Sequence, residues 1–129
     1  MPSTSLLATE PKRLSDLLRY HVPAYSLDQG SLAASAAALE FGTPLALAAD
    51  ASGAFVPWVP GASDSTGTVV ALSGSQSAVK AAAQPILVIA RHATVVASAI
   101  EWPAGANPTQ KTAALAALAT RGLIARQGA

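Results

Sequence analysis

No cysteine occurs among the 129 residues, which excludes disulfide staples, thiolate nucleophiles and cysteine-bound zinc, and leaves stability to packing, oligomerisation or a partner. Charge is scarce as well. Asp, Glu, Lys and Arg together supply 12% of the chain, against about 25% in an ordinary soluble domain, while hydrophobic residues reach 51% and mean hydropathy is +0.39. So poorly charged a surface, on a chain of net charge +1, invites association and fits an exterior that is largely covered by other subunits. No basic stripe accompanies the pI near 8.2, which argues against a nucleic-acid partner. Aromatic residues are 5% of the chain. Phe41, Phe55, Trp58 and Trp102 do not cluster into a base-stacking platform, and packing within the core or between subunits is their expected role.

A long uninterrupted apolar run is also missing. The window from Ala81 to Ile100 carries Arg91 and His92 at its centre and Gln84-Pro85 near its start, and a central Arg costs a spanning helix about 2.5 kcal/mol or more. Two strands meeting at a turn fit this stretch better than a membrane helix. Met1 to Ala8 has neither the basic start nor the apolar run of a signal peptide, so secretion is not expected.

The length is about one domain's worth, enough to bury roughly two thirds of the surface of the unfolded chain. Residues 1–40 differ from the rest in holding Lys12, Arg13 and Arg19, scattered apolar side chains and the Ala/Ser-rich stretch Ser31 to Leu39. They read as an N-terminal arm. Leu14, Leu17 and Leu18 recur at helical spacing and predict a turn or two of helix between Pro11 and Pro23, marginal in isolation. Ser31 to Leu39 suits either a helix or an extended course.

From Thr43 the pattern becomes short apolar runs separated by Gly, Pro, Asp and Ser. Pro44 to Ala48, Phe55 to Val59, Thr68 to Leu72, Ile86 to Ala90 and Thr94 to Ile100 read as strands. Ala49 to Gly53 suggests a hairpin turn and Pro60 to Gly67 a broader loop. Pro57 and Pro60 each remove a ladder donor beside Trp58, which puts that strand at a free edge or ends it in a bulge. Asn107-Pro108-Thr109-Gln110 combines an N-cap, a proline at the first helical position and a reciprocal Gln. A helix is therefore expected over about 108–121, stopping near Gly122 in a left-handed cap, with Leu123 to Arg126 as a closing strand. The expected fold class is α+β, mostly β: a β-rich domain over 41–129 with one C-terminal helix and an extended arm over 1–40.

Catalytic and metal-binding signatures are sparse. His21 and His92 have no HxxxH or HxxE neighbour, and His92 reads as a turn residue between strands. The carboxylates Glu10, Asp16, Asp28, Glu40, Asp50, Asp64 and Glu101 are dispersed, mostly where Asp caps backbone N–H groups. No G-x-S-x-G elbow or GK[ST] phosphate loop occurs. Neither a catalytic residue, a metal site nor a cofactor is predicted. A small hydrolase or ligand-binding domain around Asp64, His92 or the Gly61–Gly67 loop stays as an alternative, and needs a deep pocket with converging polar groups.

The order of features is itself informative. Thr43-Pro44-Leu45-Ala46-Leu47, a turn, Phe55-Val56-Pro57-Trp58, a Gly/Ser/Asp loop and Val69-Val70-Ala71-Leu72 are followed by Ile100-Glu101-Trp102-Pro103, a spacer, the capped helix with Lys111 and a last apolar strand. Over about residues 40–126 this series resembles the lambda-type head decoration proteins of bacteriophages. The resemblance implies a homotrimer at local three-fold sites of the expanded head, on the outer surface of the virion, stabilising it against the pressure of packaged DNA. The N-terminal arm would join strands of the major capsid protein. Leu14, Leu17, Leu18, Tyr20, Tyr25 and Leu32 are then the candidate capsid contacts, and Trp58, Trp102 and Pro103 the candidate trimer or packing anchors. Another phage structural subunit, of tail or baseplate, is the nearest alternative.

Overall fold

A computed structural model describes residues 12–127. The chain runs through a single helical turn α1 (Leu14–Leu17), β1 (Leu18–His21), β2 (Leu27–Leu32), β3 (Pro44–Leu47), β4 (Phe55–Pro57), a 3-10 turn (Ser65–Gly67), β5 (Ala71–Ser73), β6 (Gln84–Ile89) and β7 (Ala93–Val96). A second 3-10 turn (Ala97–Ala99), helix α2 (Pro108–Ala119) and β8 (Leu123–Arg126) complete it. The fold is small and mostly β, with α2 its one sizeable helix among the described residues, in agreement with the expected class.

Two sheets form. Five strands close a barrel in the order β2-β4-β3-β5-β6, and three make a separate sheet in the order β1-β7-β8. The barrel is sealed by a six-residue antiparallel ladder between β2 and β6, from Leu27↔Ile89 to Leu32↔Gln84. The same two segments continue into the second sheet, where β1 pairs antiparallel with β7. Residues 18–32 and 84–96 thus form one long two-stranded ribbon, broken between His21 and Leu27 on one side and between Ile89 and Ala93 on the other.

That break is pinned by a buried serine. Ser26 Oγ accepts from Val22 N–H at 2.7 Å and donates to His92 O at 2.7 Å, while its carbonyl accepts from Ala90 N–H at 2.8 Å. His92 turns the chain with φ of 47°, as expected for a residue between two strands. However, β6 and β7 do not pair with each other as a hairpin would; the turn passes the chain from one sheet to the other.

Apolar side chains fill two volumes. Leu32, Leu39, Leu45, Ile86 and Val88 lie inside the barrel. Leu17, Trp58, Leu72, Ile89, Val95, Leu118 and Leu123 pack where the barrel, the three-stranded sheet and α2 meet. Gly42 is required at this junction: its φ is +90°, and a Cβ would stand 2.6 Å from Ala99 O. Helix α2 begins at the expected capping box, with Asn107 Oδ1 accepting from Gln110 N–H at 2.8 Å and Gln110 Oε1 from Asn107 N–H at 2.9 Å. Gly122 follows its end with φ of +78°, and a side chain there would press on the His92 backbone at 3.3 Å.

Two expectations are corrected. The division at residue 40 cuts through the fold, because residues 12–40 supply α1, β1 and β2 and the ladder that closes the barrel. Within them the expected helix is one turn long, since Leu18 already enters β1. Leu17 and Leu32 are fully buried and Leu14 and Leu18 pack against the core, so these four leucines hold the domain together rather than line an arm. Residues 1–11 lie outside the described residues. The strand ending at Pro57 is likewise not at a free edge. It lies between β3 and β2, though it meets β2 at the single pair Leu32↔Phe55, a contact short enough to leave the proline without a ladder bond to lose.

Core membership of the N-terminal segment is measurable. Leu17→Ala and Leu32→Ala are each expected to lower unfolding free energy by about 2–5 kcal/mol, whereas Tyr20→Ala, at a position 60% exposed, should stay within about 0.5 kcal/mol. Urea denaturation of the three variants decides the matter.

Candidate functional site

The sequence-predicted anchors meet at one corner. Trp58 directly follows β4, and its N–H donates to Pro44 O at 2.9 Å, continuing the pairing with β3. Its indole Nε1–H donates to Gly67 O at 3.0 Å, so the only polar atom of a buried ring is satisfied. Trp102 meets it edge-on, with centroids 6.2 Å apart and planes at 67°, and Lys111 Nζ stands 6.0 Å from the Trp102 centroid. Trp58 is buried; Trp102 and the adjacent Pro103 are half-buried. Pro103 O accepts from Ala106 N–H at 3.0 Å, tightening the turn that leads into α2. The corner is an internal clamp between the barrel and α2, with one ring partly open to the surface.

Beside this clamp a cleft of ≈ 260 Å³ runs between α2 and the Trp58–Val69 segment. Its polar side chains are Thr68 and Gln110, and no titratable group lines it, so it offers neither a proton donor nor a base. Asp64, at the loop proposed for the hydrolase alternative, is engaged as a cap: its Oδ1 accepts from Thr66 N–H at 3.0 Å and from the Thr66 hydroxyl. Those bonds hold its carboxyl below the ordinary range. Among the described residues no group of three or more metal-ligating side chains gathers.

The second polar assembly lies at the ribbon's break. Arg91 donates to both carboxylate oxygens of Asp28, at 3.1 and 2.6 Å, and also to Tyr25 O. Its guanidinium lies 5.3 Å from the Tyr25 centroid, and the Tyr25 ring is tilted against that of His92 at 5.1 Å. Hydrogen bonding from Arg91 lowers the Asp28 pKa, and the same bond raises that of Arg91. The pair braces the turn from β6 to β7 against β2. Of the six candidate contact residues only Tyr20, 60% exposed, and Tyr25, 48% exposed, are open to the surface. Both sit near the three-stranded sheet.

A corner of packed aromatics, a cleft without titratable groups beside it, and a second cleft at the ribbon's break lined by Tyr25, Arg91, His92 and Arg121 are thus the main surface features. The profile of the bacteriophage lambda head decoration protein D family matches residues 7–123. The chain belongs to this family. No curated protein matches it. The head decoration proteins are structural phage capsid proteins rather than a family of enzymes. The family match also begins ahead of the described residues and takes in α1, β1 and β2, the elements that the resemblance over about 40–126 left out. The match therefore takes in most of the segment that reads as an arm. What sequence reasoning missed was the junction of Ser26 and Asp28 with Arg91 and His92, whose two sides lie more than sixty residues apart in the chain.

Two outcomes follow from this geometry. A double-mutant cycle on Trp58→Leu and Trp102→Leu is expected to give a coupling energy of about 0.5–1.5 kcal/mol, the usual range for an edge-to-face pair, measured by chemical denaturation. Because the folded-state pKa of Asp28 lies below its unfolded value, its contribution is fully present above about pH 4 and is lost as pH falls through the lower folded value. Asp28→Asn should therefore flatten the acid limb of the stability profile below about pH 4 and lower stability modestly at neutral pH, the pair being partly exposed.

Proposed function

We propose that this protein decorates the head of a bacteriophage, binding as a homotrimer at local three-fold sites of the expanded capsid and stabilising the shell against the pressure of packaged DNA. The observation that carries this reading is the family match over residues 7–123. The sparse surface charge of the chain supports it, as do the exposed apolar side chains Tyr20, Tyr25, Val59, Val79 and Ile124. A soluble monomer gains nothing from presenting these to water, whereas a subunit seated among others on a lattice removes them from it. Closed rotational symmetry limits such association to a finite assembly. The partner in this reading is the major capsid protein, and the location is the outer surface of the virion.

Stabilisation needs no chemistry. A ligand that binds the expanded lattice and not its precursor favours the expanded form by RT ln(1 + [L]/Kd), about 2.7 kcal/mol per site at a hundredfold excess over Kd, repeated over every site. The N-terminal segment of the chain is proposed to engage strands of the capsid protein, where main-chain hydrogen bonds supply affinity and alternate side chains supply specificity. Of the candidate contacts, Tyr20 and Tyr25 are exposed in the free subunit, whereas Leu17 and Leu32 are buried in it.

Co-sedimentation with unexpanded and expanded heads of the cognate phage tests the proposal. The full chain is expected to bind expanded heads selectively, and a variant lacking residues 1–11 to bind them at least about tenfold more weakly, a loss of about 1.4 kcal/mol or more. A full chain that sediments with neither form belongs to another structure, such as the tail or baseplate.

A further inference from the structure

The three-stranded sheet has two outer edges, and the subunit treats them differently. At β1 the edge is interrupted. The register slips between Leu18↔Val95 and Tyr20↔Thr94, which leaves Arg19 as the extra residue of a bulge, and its guanidinium folds back to Ser15 O at 3.0 Å. Bulges and charges of this kind blunt a strand edge. At β8 there is no bulge: Leu123–Arg126 pairs with β7 in parallel, in continuous register from Ala93↔Leu123 to Val96↔Arg126, Arg126 is its one charged residue, and among the described residues no strand pairs with its outer side.

The ladder determines which backbone groups of β8 are left over. Ala93 N–H donates to Gly122 O at 3.2 Å, and with this register a parallel ladder engages the N–H and C=O of Ile124 and Arg126. Those of Leu123 and Ala125 point the other way, along the open edge. Leu123 keeps its side chain in the core and Ala125 packs against it, while Ile124, 38% exposed, and Arg126 face outward. Through the pairs Tyr20↔Thr94 and Thr94↔Ile124, the outward side chains form a row across the sheet that ends at this edge. The charge here is of one sign. The three strands carry Arg19 and Arg126 but no Asp or Glu, and Arg121 leads into β8. Neither Arg121 nor Arg126 makes an ion pair among the described residues.

We infer that the open edge of β8 is a second strand-docking site, which takes an extended segment of the capsid shell bearing a large apolar side chain beside Ile124 and a carboxylate beside Arg126. This rests on the capsid reading above but is separate from the pairing proposed for the N-terminal segment. A docked strand would use the N–H and C=O of Leu123 and Ala125, extend the Tyr20–Thr94–Ile124 row by one position, and meet the arginines with the opposite charge, as cross-strand pairs favour.

Residue-resolved amide exchange on the full chain, free in dilute solution and bound to expanded heads, reads the edge directly. The Leu123 and Ala125 amides are expected to slow by at least about tenfold on binding, as amides newly sequestered in a ladder do, with smaller changes at Ile124 and Arg126. Ala125→Pro removes one outward donor, and Arg126→Glu reverses the charge. Each should weaken head binding by about tenfold, the equivalent of one charged or neutral hydrogen-bonded contact, and the deficit of Arg126→Glu should shrink at high salt. The Arg126→Glu variant and the exchange pattern stand independently of how well the proline is tolerated. Head binding by the unaltered chain with unchanged exchange at Leu123 and Ala125 overturns the inference and leaves the capsid reading intact. Equal protection in concentrated protein without heads assigns the edge to a second copy and overturns it too. Failure of the unaltered chain to bind heads overturns both.

Discussion

The antiparallel ribbon formed by residues 18–32 and 84–96 is the constraint on which the rest of this fold depends. Its lower half, the β2–β6 ladder, closes the barrel; its upper half, the β1–β7 pairing, founds the second sheet. A two-stranded ribbon running through two sheets has to change direction between them, and the change costs ladder hydrogen bonds that must be replaced. Ser26 replaces them from one side chain, receiving Val22 N–H and reaching His92 O, and Arg91 ties the same turn to Asp28 and Tyr25. Every later element is placed by reference to this junction. β8 lies beside β7, Gly122 allows α2 to end against the His92 backbone, and Leu17 enters the core from the turn that precedes β1.

Such a construction suits a subunit whose work is to be rigid. The barrel leaves no strand edge of its own, and α2 is clamped at its start by the capping box and by the Trp58–Trp102 contact. The cleft between α2 and the Trp58–Val69 segment carries no titratable group, and the Arg91–Asp28 ion pair braces a loop. Exposed apolar side chains are found both at the three-stranded sheet, with Tyr20 and Ile124, and on the barrel, with Leu47, Val59 and Val79. A decoration protein has to bind a repeating lattice with many identical weak contacts, and strand pairing with modest apolar burial supplies contacts of that size.

Legibility from sequence followed the range of the interaction. The capping box at Asn107–Gln110, the left-handed Gly122, the turn at His92 and the strands at Pro44–Leu47 and Leu123–Arg126 were all readable, because each is set by residues within a few positions of one another. So was the proximity in sequence order of Trp58 and Trp102 to the parts they clamp, though not their edge-on contact. β2 was not legible. Leu27-Asp28-Gln29-Gly30-Ser31-Leu32 has a polar centre and no alternation, and its place in a sheet comes from a partner more than fifty residues away. Gly30 marks the reason: the Phe55 ring lies 2.5 Å from where its Cβ would be, so a residue that looks like a strand breaker leaves room for a ring that only the fold brings to it.

The sequence by itself determined the class of protein: a cysteine-free, weakly charged, β-rich chain with one capped helix and no catalytic signature, in an order of motifs that belongs to head decoration proteins. Those properties are local or compositional, and need no knowledge of which segments meet. Only the tertiary structure decided that residues 12–40 contribute strands and buried leucines to the domain, that β4 lies within a closed barrel, and that β8 is an outer strand of its sheet among the described residues. Strand pairing is a long-range choice, made by whichever distant segment satisfies the backbone groups, and the residues of a single strand do not carry the identity of their partner.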